Sequence, residues 1–363
     1  MAAADQLPDT MHAVLLTGHG GFDRLDYRDD VAVPAPGSGE VLVRVGAAGV
    51  NNTDINTRTG WYSKEVTSGT TADIGPTADA DAVEGDASWG GAALAFPRIQ
   101  GADVCGRIAA VGADVDRGRI GERVLVEPCL RFPDRVEYLG SECDGGFAEF
   151  VAVPAAFAWK VESALSDAEL ASFPCSYSTA ENMLTRADVR EGETVLVTGA
   201  SGGVGSAAVQ LARRRGARVL AVAGAAKADA VQALGAEEVI PRGADLIETV
   251  GRDRVEAVVD LVAGAQWPQL LEVLRPGGRY ATAGAIAGPL VELDVRTLYL
   301  KDLSLFGCTV LREGVFGNLV GTIERGDIRP VVAAMYPLSE IVQAQEAFLS
   351  KQHTGKIVLV PPA

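Results

Sequence analysis

The chain has 363 residues, 48% hydrophobic and 22% charged, with 32 Lys plus Arg against 48 Asp plus Glu and a formal net charge of -16. That length allows two domains with substantial cores, and such a surface repels nucleic acid and anionic membrane, so neither is expected as a partner. No apolar run approaches the roughly 18 residues of a membrane span, and the opening MAAADQLPDT lacks the basic and apolar regions of a secretory signal. Cys105, Cys129, Cys143, Cys175 and Cys308 are dispersed without a CxxC pair, which fits a reducing, cytoplasmic setting. His12, His19 and His353 are too scattered for a His-rich metal site.

After a polar extension over residues 1–10, Met11–Leu16 reads as a strand, and Glu40–Val45 as another. Short strands broken by Gly and Pro follow at Arg107–Val111, Arg123–Val126 and Phe147–Val153, giving an irregular β-rich first domain. Between Glu65 and Pro97 there is no Lys or Arg, while Asp73, Asp79, Asp81, Glu84 and Asp86 sit among small residues. This is the composition of a long loop, read first as a solvated insertion. A sharper expectation is that its apolar end, Trp89 to Phe96, folds over a substrate cleft.

From Thr194 the pattern changes. Val195, Leu196 and Val197 read as a buried parallel strand, and the turn Gly199-Ala-Ser-Gly-Gly-Val-Gly205 opens a helix over Ser206–Arg215. Strand, glycine turn and helix in succession form a cradle for a dinucleotide pyrophosphate, carried by Ser201, Gly202, Gly203 and Val204. Strands at Arg218–Ala223, Glu238–Ile240, Ala257–Leu261, Arg279–Ala283 and Leu303–Val310, with helices at Lys227–Leu234 and Gln266–Leu274, complete a six-stranded doubly wound α/β sheet. The tail adds a helix Ile341–Leu349 and a strand Lys356–Val360.

A protein that selects NAD presents an acidic residue at the end of the second strand, about 20 residues beyond the glycine turn. Here that end is Ala223-Gly224-Ala-Ala-Lys227, without a carboxylate, and Arg242 follows the third strand. A 2′-phosphate there meets two cations, so NADPH is the expected cofactor.

Several segments resemble the medium-chain dehydrogenase/reductase superfamily, in its zinc-independent, quinone oxidoreductase-like branch. They are Met11–Gly21, Gly49-Val50-Asn51 with Asp54, the glycine turn, Leu274–Arg279, Leu298-Tyr299, Lys301 and Gly355-Lys356-Ile357-Val358. The resemblance implies a GroES-like domain from residues 1–160 and 311–363, with a Rossmann domain, 161–310, between them. It also implies a homodimer joined along Leu303–Val310, and contact of Gly284, Phe306, Cys308 and Lys356 with the nicotinamide half or the phosphates. Where zinc-dependent relatives hold a catalytic metal, this sequence has Asn51, Ala102-Asp103 and Cys175. That set lacks the three His/Cys ligands a catalytic zinc needs, so no metal is expected.

By the same resemblance Asn51 lies near the nicotinamide ribose and Tyr62 lines the cleft, as a wall or as a proton donor to a developing oxyanion. Asp54 more often serves structure in such a turn, but with Asp103 it places carboxylates close to where zinc-dependent relatives hold metal, and either is an acid if burial raises its pKa. The implied activity is NADPH-dependent reduction of quinones or other α,β-unsaturated carbonyl compounds. A redox-neutral or biosynthetic enzyme, or an NADPH-binding protein without turnover, remains open on the same fold.

Overall fold

The chain is described from a computed structural model, which covers residues 7–70 and 85–362. The acidic stretch 71–84 of the expected insertion lies outside them. Among the described residues, no helix is long and apolar enough to cross a membrane.

The first part forms β1 (Thr10–Leu16), β2 (Leu25–Ala32), β3 (Glu40–Val50), β4 (Arg98–Ile99), β5 (Cys105–Val111), β6 (Arg123–Val126), β7 (Cys129–Arg131), β8 (Val136–Tyr138), β9 (Phe150–Pro154) and β10 (Ala158–Lys160). A single helix, α1 (Asn52–Thr59), follows β3, and α2 (Asp167–Leu170) and α3 (Pro174–Arg186) lead out of this part. The second part begins with β11 (Thr194–Val197) and α4 (Gly203–Arg214). It continues through β12 (Arg218–Ala223), α5 (Ala228–Gln232), β13 (Glu238–Pro241), α6 (Leu246–Thr249), β14 (Val255–Asp260) and α7 (Trp267–Val273). It ends with β15 (Leu274–Thr282), α8 (Val295–Leu300) and β16 (Ser304–Gly307).

The six strands β11 to β16 pair in parallel in the order β13-β12-β11-β14-β15-β16. Val195, Leu196, Val197, Val258 and Val259 are fully buried, as a sheet covered by helices on both faces requires. The order reverses between β11 and β14, and in such sheets a ligand binds in the crevice beyond the strand C-termini at that reversal.

After α9 (Val315–Glu324), which packs on α3, the chain returns to the first sheet through β17 (Val332–Pro337), α10 (Ile341–Leu349) and β18 (Lys356–Val360). β18 pairs antiparallel with β3, Ile357 opposite Val50, within the order β10-β6-β5-β3-β18-β17. The β-rich domain is thus assembled from both ends of the sequence. Gly355 N–H donates to the Ser201 carbonyl at 3.0 Å, so the start of β18 is docked on the glycine turn of the other domain.

Candidate active site

A cleft of about 590 Å³ runs between the two domains. One wall comes from the C-terminal ends of the parallel strands: the glycine turn after β11, Leu261 after β14, Thr282–Ile286 at the end of β15, and Gly307–Thr309 after β16. The opposite wall carries Asn51, Thr53, Trp61, Tyr62, Trp89, Tyr138, Cys175 and Lys356. Of the expected site residues, Asn51, Tyr62, Gly202, Gly203, Val204, Gly284, Cys308 and Lys356 line this one space.

The N-terminus of α4 has Gly202 as its cap, with no side-chain hydrogen bond to the first turn. Its leading N–H groups therefore open on the cleft, with the positive end of the helix dipole behind them. The close approach is enforced at Gly203, where a Cβ would stand 2.6 Å from Ser176 Oγ and 3.0 Å from Lys356 Cδ. These residues fit the pyrophosphate of a dinucleotide. Ser201 is buried behind the turn, held by its carbonyl to Gly355.

Lys356 sits where the cradle meets the opposite wall. Its ammonium is buried and donates to Asn51 Oδ1 at 2.6 Å and Asp103 Oδ2 at 2.6 Å. Asn51 Nδ2 also donates to Asp103 Oδ2 at 2.8 Å, and Cys175 N–H to Asp103 Oδ1 at 2.6 Å. Asn51, Asp103 and Cys175 are therefore gathered at one point, with a lysine as the resident cation. The Cys175 thiol is pushed up to about 12 by burial and then by Asp103. A neutral thiol, an amide and an ion-paired carboxylate are a poor donor set for zinc. Among the described residues, no group of three or more His, Cys, Asp or Glu side chains is placed to hold a metal ion.

The two carboxylates expected as acids stand behind this wall instead of in it. Asp103 has both oxygens occupied by the bonds above, which makes it a positioning residue. Asp54 closes a capping box with Asn51 at the start of α1, accepting the Asn51 N–H at 2.7 Å, and also accepts from Gly101 N–H at 3.3 Å. Burial raises its carboxyl to about 7 against those hydrogen bonds. Tyr62 does face the cleft, donating to Thr53 Oγ1 at 3.1 Å, and burial raises its phenol to about 12.

At the ends of β12 and β13 no carboxylate appears. Gly224 leads to Lys227, whose ammonium donates to the carbonyls of Lys351 at 2.5 Å and His353 at 2.7 Å. Burial, then the neighbouring Arg242, lowers the Lys227 pKa. Lys351 is lowered to about 8 by burial and Lys227, and His353 to about 4 by burial, Lys351 and Lys227. Lys351 was not among the expected site residues, and His353 was weighed only as a metal ligand. Phe306 is half-buried in β16 beside the cleft-lining Gly307. Of the apolar end expected over the cleft, Trp89 lines it, and Tyr138, whose hydroxyl lies 3.0 Å from Cys175 Sγ, is a further lining residue that only the fold brings in.

Residues 37–163 match the family model described as alcohol dehydrogenase GroES-like domain, and residues 203–325 the one described as zinc-binding dehydrogenase. A quinone oxidoreductase from Lama guanicoe is 30% identical over 96% of this chain and 97% of its own. The acryloyl-coenzyme A reductase of Metallosphaera sedula is 31% identical over 96% and 99%. The chain belongs to the medium-chain dehydrogenase/reductase superfamily. Within that superfamily it falls in the quinone oxidoreductase-like branch. A solved Sinorhizobium meliloti protein, provisionally described as an alcohol dehydrogenase, shares 49% identity and a TM-score of 0.87 over 98% of both chains. As a member of this superfamily the chain is an oxidoreductase with a nicotinamide cofactor. The zinc named in the second family model is not matched by the Asn51, Asp103 and Cys175 donor set.

Proposed function

We propose that this protein is an NADPH-dependent, zinc-independent reductase of quinones or other α,β-unsaturated carbonyl compounds. The observation that carries the reading is the single cleft in which a glycine cradle faces Asn51, Tyr62 and the Lys356 ammonium. NADPH supplies the hydride. The protein aligns the two reactants and excludes water. An acceptor already activated by conjugation needs less polarisation than a simple ketone, for which a Lewis acid would be wanted. Tyr62, with its phenol near 12, keeps its proton at neutral pH and can donate to the oxygen on which negative charge develops. Lys356, held by Asn51 and Asp103, adds a fixed positive charge on the same wall.

The preference for NADPH rests on Lys227 and Arg242, joined by Lys351, where Arg242 lies close enough to bear on Lys227 and Lys227 on Lys351. The homodimer forms along β16, the edge strand of its sheet, where Leu305 is exposed.

The test is NADPH and NADH consumption across a panel of quinones and enones, with metal content measured on the same preparation. Oxidation of NADPH by at least one class, faster than of NADH and without stoichiometric zinc, is expected. Tight NADPH binding with no acceptor reduced would refute the enzymatic reading.

A further inference from the structure

Resting on that reading, the inner surface of the cleft also indicates which acceptors it takes. Beyond Asn51 and Lys356, the wall is an arc of four aromatic rings, Trp61, Tyr62, Tyr138 and Trp89. Trp61 and Tyr62 meet edge to face with centroids 5.8 Å apart. Cys175 lies close enough to both phenols to act on their ionisation, and Tyr138 shares a hydrogen bond with its sulfur. Trp89 then stacks on Tyr138, with centroids 4.7 Å apart and planes 24° from parallel.

Trp89 comes from the insertion and is fixed there. Its backbone N–H donates to Ser141 Oγ at 3.1 Å, and the Gly90 backbone N–H to Glu142 Oε1 at 2.7 Å. The apolar end of the insertion thus contributes one ring to the cleft, while Gly91, Ala92, Ala93 and Ala95 are exposed. The charges around this arc matter as much as the rings. Among the described residues, Lys64 and Lys356 are the charged side chains of the lining. Lys356 is committed to Asp103, and Asp86 accepts the Lys64 N–H and feels its charge. A polyphosphorylated carrier needs several cations for its phosphates, and this end of the cleft does not offer them. Flat π-systems, by contrast, gain from offset stacking and edge contacts with such walls.

We propose that Trp89 is a specificity-determining residue that selects uncharged, planar, ring-bearing acceptors, quinones and aryl enones, over aliphatic enones and over enoyl thioesters of coenzyme A. The stacked pair Trp89–Tyr138 is the surface the acceptor ring packs against, and Trp89 acts by binding, with no part in proton or hydride transfer.

The experiment compares benzalacetone, ethylideneacetone and crotonyl-coenzyme A as acceptors for wild type, W89A and W89F with NADPH. Wild type should favour benzalacetone. W89A should lose about tenfold in kcat/KM on benzalacetone, the upper range of an aromatic pair, and less than about twofold on ethylideneacetone. W89F should recover most of the loss, and NADPH affinity should be the same in all three proteins. Equal losses on the two enones, or preference of wild type for crotonyl-coenzyme A, would overturn the proposal. Binding of benzylacetone, which cannot be reduced at a conjugated bond, is measured in parallel by calorimetry. If wild type reduces nothing, the assigned reaction fails, and a weaker benzylacetone affinity in W89A still supports the subsite. Unchanged affinity overturns it.

Discussion

Replacing Lys356 by methionine tests the assembly of the site directly. Lys356 is 2% exposed and Asp103 0%, so the pair has almost no access to water. In K356M the Asp103 carboxylate keeps two neutral donors, the Cys175 N–H and Asn51 Nδ2, but no cation. Removing one partner of a buried ion pair costs about 3–5 kcal/mol; the two surviving hydrogen bonds place the loss near 3 kcal/mol. D103N strands the ammonium instead and should cost a similar amount. The double variant D103N/K356M leaves no unpaired charge, so it should lie within about 2 kcal/mol of wild type, a coupling of about 4 kcal/mol or more. At roughly 2 °C per kcal/mol, each single variant should melt about 6 °C below wild type and the double variant above either. All three should lose reductase activity. The argument fails if K356M melts within about 2 °C of wild type, or if the double variant falls by the sum of the singles.

Three further outcomes follow from the geometry. The Asp54 carboxyl holds its proton to about 7 in the fold and to its ordinary value of 3.8 when unfolded, so stability declines as pH rises between these values and levels off above them. D54N removes that dependence and should gain on wild type over that interval, read from urea midpoints; parallel profiles would refute the burial argument. R242A, which alters an exposed side chain, should weaken NADPH binding about fivefold to tenfold by removing one charge-assisted contact while NADH affinity stays within about twofold; equal loss for both cofactors would remove Arg242 from the choice. G203A drives a Cβ toward Ser176 Oγ at 2.6 Å and should cost about 1–3 kcal/mol together with most of the dinucleotide affinity, measured by melting and by titration, and unchanged titration would contradict the cradle.

Much of the fold was legible because its strands are short apolar runs between breakers. The helix Ile341–Leu349 and strand Lys356–Val360 coincide with α10 and β18, and the strand starting at Thr194 with β11. The strand expected over Glu40–Val45 is longer than its alternating valines, since β3 runs on through Gly46-Ala-Ala-Gly49 to Val50. Gly49 is there to admit Asp103, whose Oδ2 would stand 2.5 Å from an added Cβ. α3 gave no periodic apolar signal, since Cys175, Ser176, Tyr177 and Ser178 are all buried between the domains. In the site, the cradle and the missing acid after β12 were readable from local sequence. Asn51, Tyr62 and Lys356 came only through resemblance, Asp54 was legible as a structural residue of its turn, and Asp103 was found without its role, because exposure to a cleft is not written in residue type. Trp89 and Tyr138 are joined by a stack between distant loops, which local pattern does not encode.

The docking of β18 has a consequence for biosynthesis. Lys356 is carried on the last strand of the described fold, while its partners Asn51 and Asp103 lie near the beginning. A ribosome-bound chain can therefore build the parallel sheet and bind nothing productively until that strand has emerged and closed against β3. Until then Asp103 has no counter-ion and the Ala48–Val50 end of β3 lacks its β18 partner. The β-rich domain holds both halves of the charge pair, yet it is completed only after the parallel-sheet domain between them in sequence has been made.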